Sequence, residues 1–226
     1  MIYKKKILCF VPARKESTRL INKNLKKIKG KSLVEITLLQ AIKSKIFEDI
    51  VLSSDSEKIL KIGSKLKITC IKRSKKKSNS KATTDSALLE TLSKYNGEYD
   101  YVVLLQVTSP LRKISTIKLF VNYCLKNKLQ NCLTVNEITE NIAYPNKNYF
   151  FPLKKERQRT QDKKPYLMEN GLIYFFSKLQ FLKHKKIFFR KKWNIFITDK
   201  YESIDINTKK DYIICKKLAE KNEAKI

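Results

Sequence analysis

The chain has 226 residues, 42% of them hydrophobic, and a formal charge of +29 from 50 lysines and arginines against 21 carboxylates. That length suits one domain with a good core, the hydrophobic content excludes disorder, and no apolar stretch approaches the roughly 18 residues of a spanning helix. The cationic excess is mostly lysine, spread along the chain and accompanied by few glycines and many isoleucines, so compositional bias accounts for it better than a nucleic-acid surface, though it would still steer anionic substrates.

The start, MIYKKKILCFVPA, loosely imitates a signal peptide. Its apolar part is short and runs into ARKESTR rather than a small-residue cleavage site, so a cytoplasmic protein is expected. In chain order, short β-branched and aromatic runs predict strands at Lys6–Val11, Ile50–Ser53, Ile68–Lys72, Tyr101–Val107, Cys132–Val135, Gly171–Phe176 and Ile195–Ile197. Between them fall predicted helices at Leu33–Lys43, Ser56–Ser64, Asp85–Lys94, Ser115–Asn127 and Lys209–Lys221. ILCFV and YVVLL are apolar on both faces, as strands covered on both sides of a parallel sheet must be. The alternation therefore predicts an α/β fold: right-handed βαβ units in a doubly wound, mostly parallel sheet, with its ligand beyond the carboxyl ends of the strands. Residues 72–81, rich in lysine and serine, read as an exposed loop. The pattern fails between about Asn136 and Lys164, where Pro145, Pro152 and Pro165 punctuate a polar, aromatic-rich segment, which reads as an excursion from the sheet.

Five scattered cysteines without a CxxC pair point to reduced, mostly buried thiols rather than disulfides or zinc. The single histidine, His184, has no nearby ligand partners, which leaves neither a metal role nor a catalytic triad much to work with. The chemistry has to come from other stretches. FVPARKESTRLINKNL ends the first strand with Arg14, Ser17, Arg19, Lys23 and Asn24 around one carboxylate, Glu16. Such donors could hold a polyphosphate, but the glycines of a Walker loop are missing, and alone the stretch is better explained as a solvated basic turn. VVLLQVTSPLR brings Gln106, Thr108, Ser109 and Arg112 to another strand end, as ligand contacts or as a helix start at Pro110. Asn170-Gly171 marks a turn before a strand. In ESIDINTKKDY, Asp205 and Asn207 would share one face of a strand and offer two oxygens suited to Mg²⁺; the alternative is an edge strand with Thr208 or Asp211 capping a helix. Phe188 and Phe189 read by default as packing residues.

Taken in order, ARxxSxRLxxKN, LLQxTSPLR, NGxIY and SIDIxTxxD resemble the N-acylneuraminate cytidylyltransferases over nearly the whole chain. TSPLR is similar to the sialic and legionaminic acid enzymes of that family. The resemblance implies a Rossmann-like nucleotidyltransferase fold and an enzyme that transfers CMP from CTP to a nine-carbon 2-keto sugar acid, with Mg²⁺, releasing pyrophosphate. Both reactants are anions, so such catalysis rests on positioning and charge neutralisation. Carried over by position, it implies that Arg14 and Lys23 grip the triphosphate, Ser17 adds a phosphate bond, and Asn24 and Arg73 fix the cytidine. It likewise implies that Gln106, Asn170 and Tyr174 meet the sugar, Lys147 and Arg159 hold its carboxylate, and Phe188 and Phe189 pack on its N-acyl side. Asp205 and Asn207 would hold the metal, with Asp205 joining Arg14 and Lys23 as catalytic residues. The segment at roughly 136–164 corresponds to the family's dimerisation region, so a homodimer is implied, with neither nucleic acid nor membrane as a partner.

The chain departs from the family pattern at Glu16, Thr18, Ile21 and Asn207, where the family has a small or amide residue, lysine, proline and aspartate. Asn207 removes a negative charge from the metal site, and Glu16 would repel a triphosphate unless it turned to solvent. Two other readings therefore stand beside CMP transfer: a member that binds nucleotide or sugar without turnover, and, on charge alone, a basic nucleic-acid-binding module.

Overall fold

A computed structural model describes residues 5–74, 83–140, 142–146, 149–152, 159, 164–189 and 192–221. The chain opens with strand β1 (Ile7–Pro12), a loop ending in a 3₁₀ turn (Lys23–Leu25), and a two-strand ribbon, β2 (Lys27–Ile28) with β3 (Lys31–Ser32). There follow α1 (Leu33–Ser44), β4 (Asp49–Ser54), α2 (Glu57–Lys65), β5 (Thr69–Lys72), α3 (Thr84–Lys94), β6 (Tyr101–Leu105) and α4 (Ile114–Lys126). The second half holds β7 (Asn131–Ile138), the ribbon β8 (Ala143–Asn146) with β9 (Tyr149–Pro152), β10 (Tyr166–Ser177), α5 (Lys178–His184), β11 (Asn194–Ile197) and α6 (Lys209–Lys221).

Seven strands form one sheet in the order β11-β7-β10-β6-β1-β4-β5. All neighbours are parallel except those of β10, which runs antiparallel to both β6 and β7. β1 explains why the sheet is covered twice. Its Ile7, Cys9 and Val11 pack with residues of α1, α2, α4 and α6, while Leu8 and Phe10 pack with α3 and α5. Each face therefore removes apolar surface from water, which is what the unbroken run ILCFV encodes. Local signals set the helix starts. Ser32 Oγ accepts from Glu35 N while Ser32 N donates to Glu35 Oε2, a capping box for α1. Thr83 Oγ1 accepts from Ser86 N and caps α3.

Two local readings are corrected, and one element was missed. Asn170-Gly171 is not a turn before a strand but lies inside β10, where the register against β7 shifts between Glu169 and Tyr174. Gly171 sits there at φ +70°, the left-handed conformation that a bulge of this kind asks of glycine. Residues 204–207 form no strand; they run as an irregular stretch into α6. Thr208 Oγ1 accepts from Asp211 N, and Asp211 Oδ2 accepts from the backbone N–H groups of Asn207 and Thr208. The helix start, rather than a sheet, thus dictates the local backbone. Finally, α5 had no sequence signal: only Phe181 is buried, while Leu179 and Leu182 are exposed, so no apolar stripe marks it.

All five cysteines are free thiols, four of them buried. Most of the 72–81 loop lies outside the described residues.

Candidate active site

The carboxyl ends of β1, β5, β6 and β7 surround a cleft of about 930 Å³. The loop after β1 forms one wall and supplies Arg14, Glu16, Ser17, Lys23 and Asn24 to the lining. It is pinned rather than loose: Lys15 N donates to Asp55 Oδ1 at 2.7 Å, and Asn24 Nδ2 donates to the Arg14 carbonyl at 2.8 Å. The Asn24 amide therefore shapes the loop as well as lining the cleft. Glu16 is exposed while still lining it.

Arg73, just past β5, is only 6% exposed, yet its Nε and Nη2 find no acceptor among the described residues. Burial lowers its pKa, and Asp55 and Glu90 oppose that shift. A buried guanidinium with unpartnered donors on a cleft wall is costly unless a ligand satisfies them.

The stretch 203–207 forms the wall facing that loop, held by Ile206 N donating to the Thr108 carbonyl at 2.8 Å. Lys23 Nζ donates to the Ile206 carbonyl at 2.8 Å and to Asn207 Oδ1 at 3.3 Å. Arg19 Nη2 donates to the same Oδ1 at 3.1 Å, and Asn207 Nδ2 donates to Asp205 Oδ2. Asn207 thus turns its oxygen to two cations and its nitrogen to Asp205. Burial lowers the Lys23 pKa; Asp205 works against this, while Arg19 and Arg14 reinforce it. As a magnesium site this arrangement offers the Asp205 carboxylate, which fits an ion commonly held by one or two carboxylates plus phosphate oxygens. The Asn207 oxygen faces away from that position. Among the described residues, no three His, Cys, Asp or Glu side chains gather to hold a metal.

Of the VVLLQVTSPLR stretch, Gln106 and Thr108 line the cleft, but Ser109 and Arg112 are buried and do not line it. Arg112 donates from Nε to the Leu172 carbonyl (3.2 Å), from Nη1 to Gln40 Oε1 (3.1 Å) and from Nη2 to the Gln106 carbonyl (2.6 Å). Burial pushes its pKa down to about 10. Arg112 is a strut beneath the cleft, tying the end of β6 and the bulged middle of β10 to α1.

The other half of the cleft is lined by Asn136, Met168, Glu169, Asn170, Tyr174 and Lys200, among others. The Asn170 amide is fully engaged: it accepts from Thr134 Oγ1 (2.7 Å) and Leu172 N (3.1 Å), donates to Thr198 Oγ1 (2.8 Å), and lies 2.7 Å from the Asn136 amide. The Tyr174 hydroxyl donates to Glu169 Oε1, and its pKa is raised by burial first and that bond second. Phe188 meets the Tyr174 ring edge-on at 5.9 Å, and Phe189 stacks on His184 at 5.5 Å. Neither phenylalanine lines the cleft, and neither does Arg159, which is exposed. Lys147 lies outside the described residues. The structure therefore brings ten of the expected residues into one cleft: Arg14, Ser17, Lys23, Asn24, Arg73, Gln106, Asn170, Tyr174, Asp205 and Asn207. Sequence reading missed Thr83, Thr84, Glu169 and Lys200. Of these, only the Thr83 cap had a local signal.

Residues 8–224 match the family model described as cytidylyltransferase. The chain is 32% identical over 216 residues to the N-acylneuraminate cytidylyltransferase of Streptococcus agalactiae serotype III, covering 92% of this chain and 52% of that protein. It thus spans about half the length of the first curated relatives it matches. It is 31% identical over 230 residues to the pseudaminic acid cytidylyltransferase of Campylobacter jejuni, covering 96% and 97% of the two chains. Among solved structures, a CMP:2-keto-3-deoxy-manno-octonic acid synthetase complexed with CTP superposes with a TM-score of 0.74 at 15% identity, over 96% of this chain and 99% of that one. At that identity the likeness is one of fold.

Proposed function

The chain belongs to the cytidylyltransferase family, and from that premise we propose that it transfers CMP from CTP to the anomeric hydroxyl of a nonulosonic acid, releasing pyrophosphate. The observation that carries this reading is the convergence of Arg14, Ser17 and Lys23, from the first loop, with Asp205, from the last, in one cleft. Residues almost two hundred positions apart build a pocket with cations on one side and a carboxylate on the other. Such a pocket suits a triphosphate and its counter-ion.

In this reading Arg14 and Lys23 neutralise charge on the departing pyrophosphate, and Ser17 orients a phosphate oxygen. The donors left open on Arg73 take up the cytidine end of the nucleotide. Gln106 and Tyr174 bound the space for the sugar acid, whose anomeric oxygen attacks the α-phosphorus. Asn170, saturated by its neighbours, keeps the β7 and β10 edges in place behind that space. Asp205 would hold Mg²⁺, which supplies charge neutralisation at the phosphates when bound. In a site with no histidine, catalysis comes from alignment and from preset charge.

The sialic and legionaminic acids remain the sugars we propose, on TSPLR; the relatives' names extend the test to pseudaminic acid. Dimerisation through the segment around 136–164, where the β8–β9 ribbon lies, belongs to the same proposal, supported by exposed Leu167 and Met168 at its base. So does a cytoplasmic location; among the described residues no helix is long and apolar enough to cross a membrane. Incubating the chain with CTP, Mg²⁺ and each sugar acid, then measuring pyrophosphate, tests the reading, and silence with every nonulosonic acid would sink it. A second reading, ligand binding without turnover, is favoured by one observation: the Asn207 amide nitrogen, rather than an oxygen, faces Asp205. Nucleotide binding with no pyrophosphate release would establish it.

A further inference from the structure

Behind Tyr174 lies an aromatic group that the proposed chemistry does not use. Phe188 is 49% exposed and sits edge-on to Tyr174, with Trp193 4.9 Å beyond it; Phe189 packs between Trp193 and His184. Phe188 and Phe189 ride on the short segment after α5, whose Lys185 takes the left-handed conformation that ends the helix. A side chain of a different element holds the segment's backbone: Asp85 Oδ1, in the first turn of α3, accepts from Ile187 N at 2.9 Å. Ile187 itself is buried. The same turn of α3 places Thr83, Thr84 and Ala87 in the cleft lining. One carboxylate therefore joins the helix start beside Arg73 to the ring pack that backs Tyr174.

We propose that Asp85 is a positioning residue: it fixes Phe188 against Tyr174 and so sets how tightly the cleft holds the sugar acid. This rests on the CMP-transfer reading. The physical reason is that Tyr174 is held from two sides, by Glu169 through its hydroxyl and by Phe188 through its ring. Aromatic contacts of this kind depend on ring geometry, and a small displacement of a positioning group is felt in substrate alignment. Asp85 touches neither substrate. It acts through Ile187 and Phe188, so the residue type needed is one that presents an acceptor oxygen there, charged or not.

The single tryptophan provides a reporter inside this pack. In Asp85→Ala the full chain should show red-shifted Trp193 emission and greater acrylamide quenching. Its KM for the sugar acid should rise roughly tenfold while kcat and the KM for CTP stay within about twofold. Asp85→Asn keeps an acceptor oxygen and should restore both readouts. Phe188→Ala, which leaves Asp85 in place, should raise the same KM, and adding Asp85→Ala to it should change little more. Unaltered Trp193 emission in Asp85→Ala would overturn the proposal. So would a loss confined to CTP, or an Asp85→Asn variant as impaired as the alanine. If the wild-type chain releases no pyrophosphate with any sugar acid, the CMP-transfer reading fails and the sugar-binding role of Asp85 falls with it. The fluorescence comparison still decides separately whether Asp85 holds the ring pack.

Discussion

Replacing Arg112 with methionine separates a strut from a substrate contact. The guanidinium is 2% exposed and makes three hydrogen bonds, to the Leu172 and Gln106 carbonyls and to Gln40 Oε1. Methionine keeps much of the stem's volume but offers none of the donors, leaving three buried acceptors with one partner fewer. At about 1 to 1.5 kcal/mol for each, the upper part of the range for an ordinary hydrogen bond, the loss is about 3 to 4.5 kcal/mol. Among the described residues no carboxylate bonds directly to this cation, so some of that is offset by relief of a desolvated charge. In a chain of 226 residues, each kcal/mol moves the midpoint by about 2 to 4 °C, which puts the expected drop in Tm near 6 to 18 °C before that offset. Thermal unfolding followed by circular dichroism reads it directly. A ligand-contacting arginine behaves oppositely: its loss leaves Tm almost in place and raises a substrate KM. A Tm within about 2 °C of wild type together with a tenfold rise in either KM would refute the strut.

In the proposed reaction Lys23 acts as a cation, and burial lowers its pKa. The alkaline limb of kcat/KM should therefore begin below the ordinary lysine value and vanish in Lys23→Arg, as a pH–rate profile would record. Asn207→Asp places a second carboxylate beside Asp205, so the Mg²⁺ concentration for half-maximal rate should fall by several-fold; an unchanged requirement would show that Asn207 is not the weak point. Gly171→Ala meets open space, with only the Tyr174 hydroxyl at 3.8 Å, but must adopt φ +70°. It should cost about 1 kcal/mol of stability by urea denaturation, with little effect on folding yield.

The sheet was legible because its strands are buried on both faces, so ILCFV and YVVLL carry their own signal. The site was legible only in the order of its motifs: in a chain with 50 lysines and arginines, the cations after β1 read alone as a solvated turn. What sequence could not separate was direction. Arg112 and Gln106 stand at one strand end, yet one guanidinium turns inward to three acceptors while Gln106 lines the cleft. Asn207 alternates with isoleucine as a strand residue would, but Asp211 captures its backbone N–H for the start of α6. Asn170-Gly171 carries turn chemistry that a bulge uses equally well. Lys200 and Glu169 reach the cleft through pairing between distant strands and loops, which no local spacing records.

The claim that the anomeric oxygen attacks the α-phosphorus is tested most directly with a sugar acid carrying ¹⁸O at that hydroxyl, supplied with CTP and Mg²⁺ and followed by ³¹P NMR and mass spectrometry. The account predicts CMP-sugar and pyrophosphate in equal amounts, with the label in the bridge between sugar and phosphorus. Label in pyrophosphate, or no CMP-sugar from any nonulosonic acid, would contradict it.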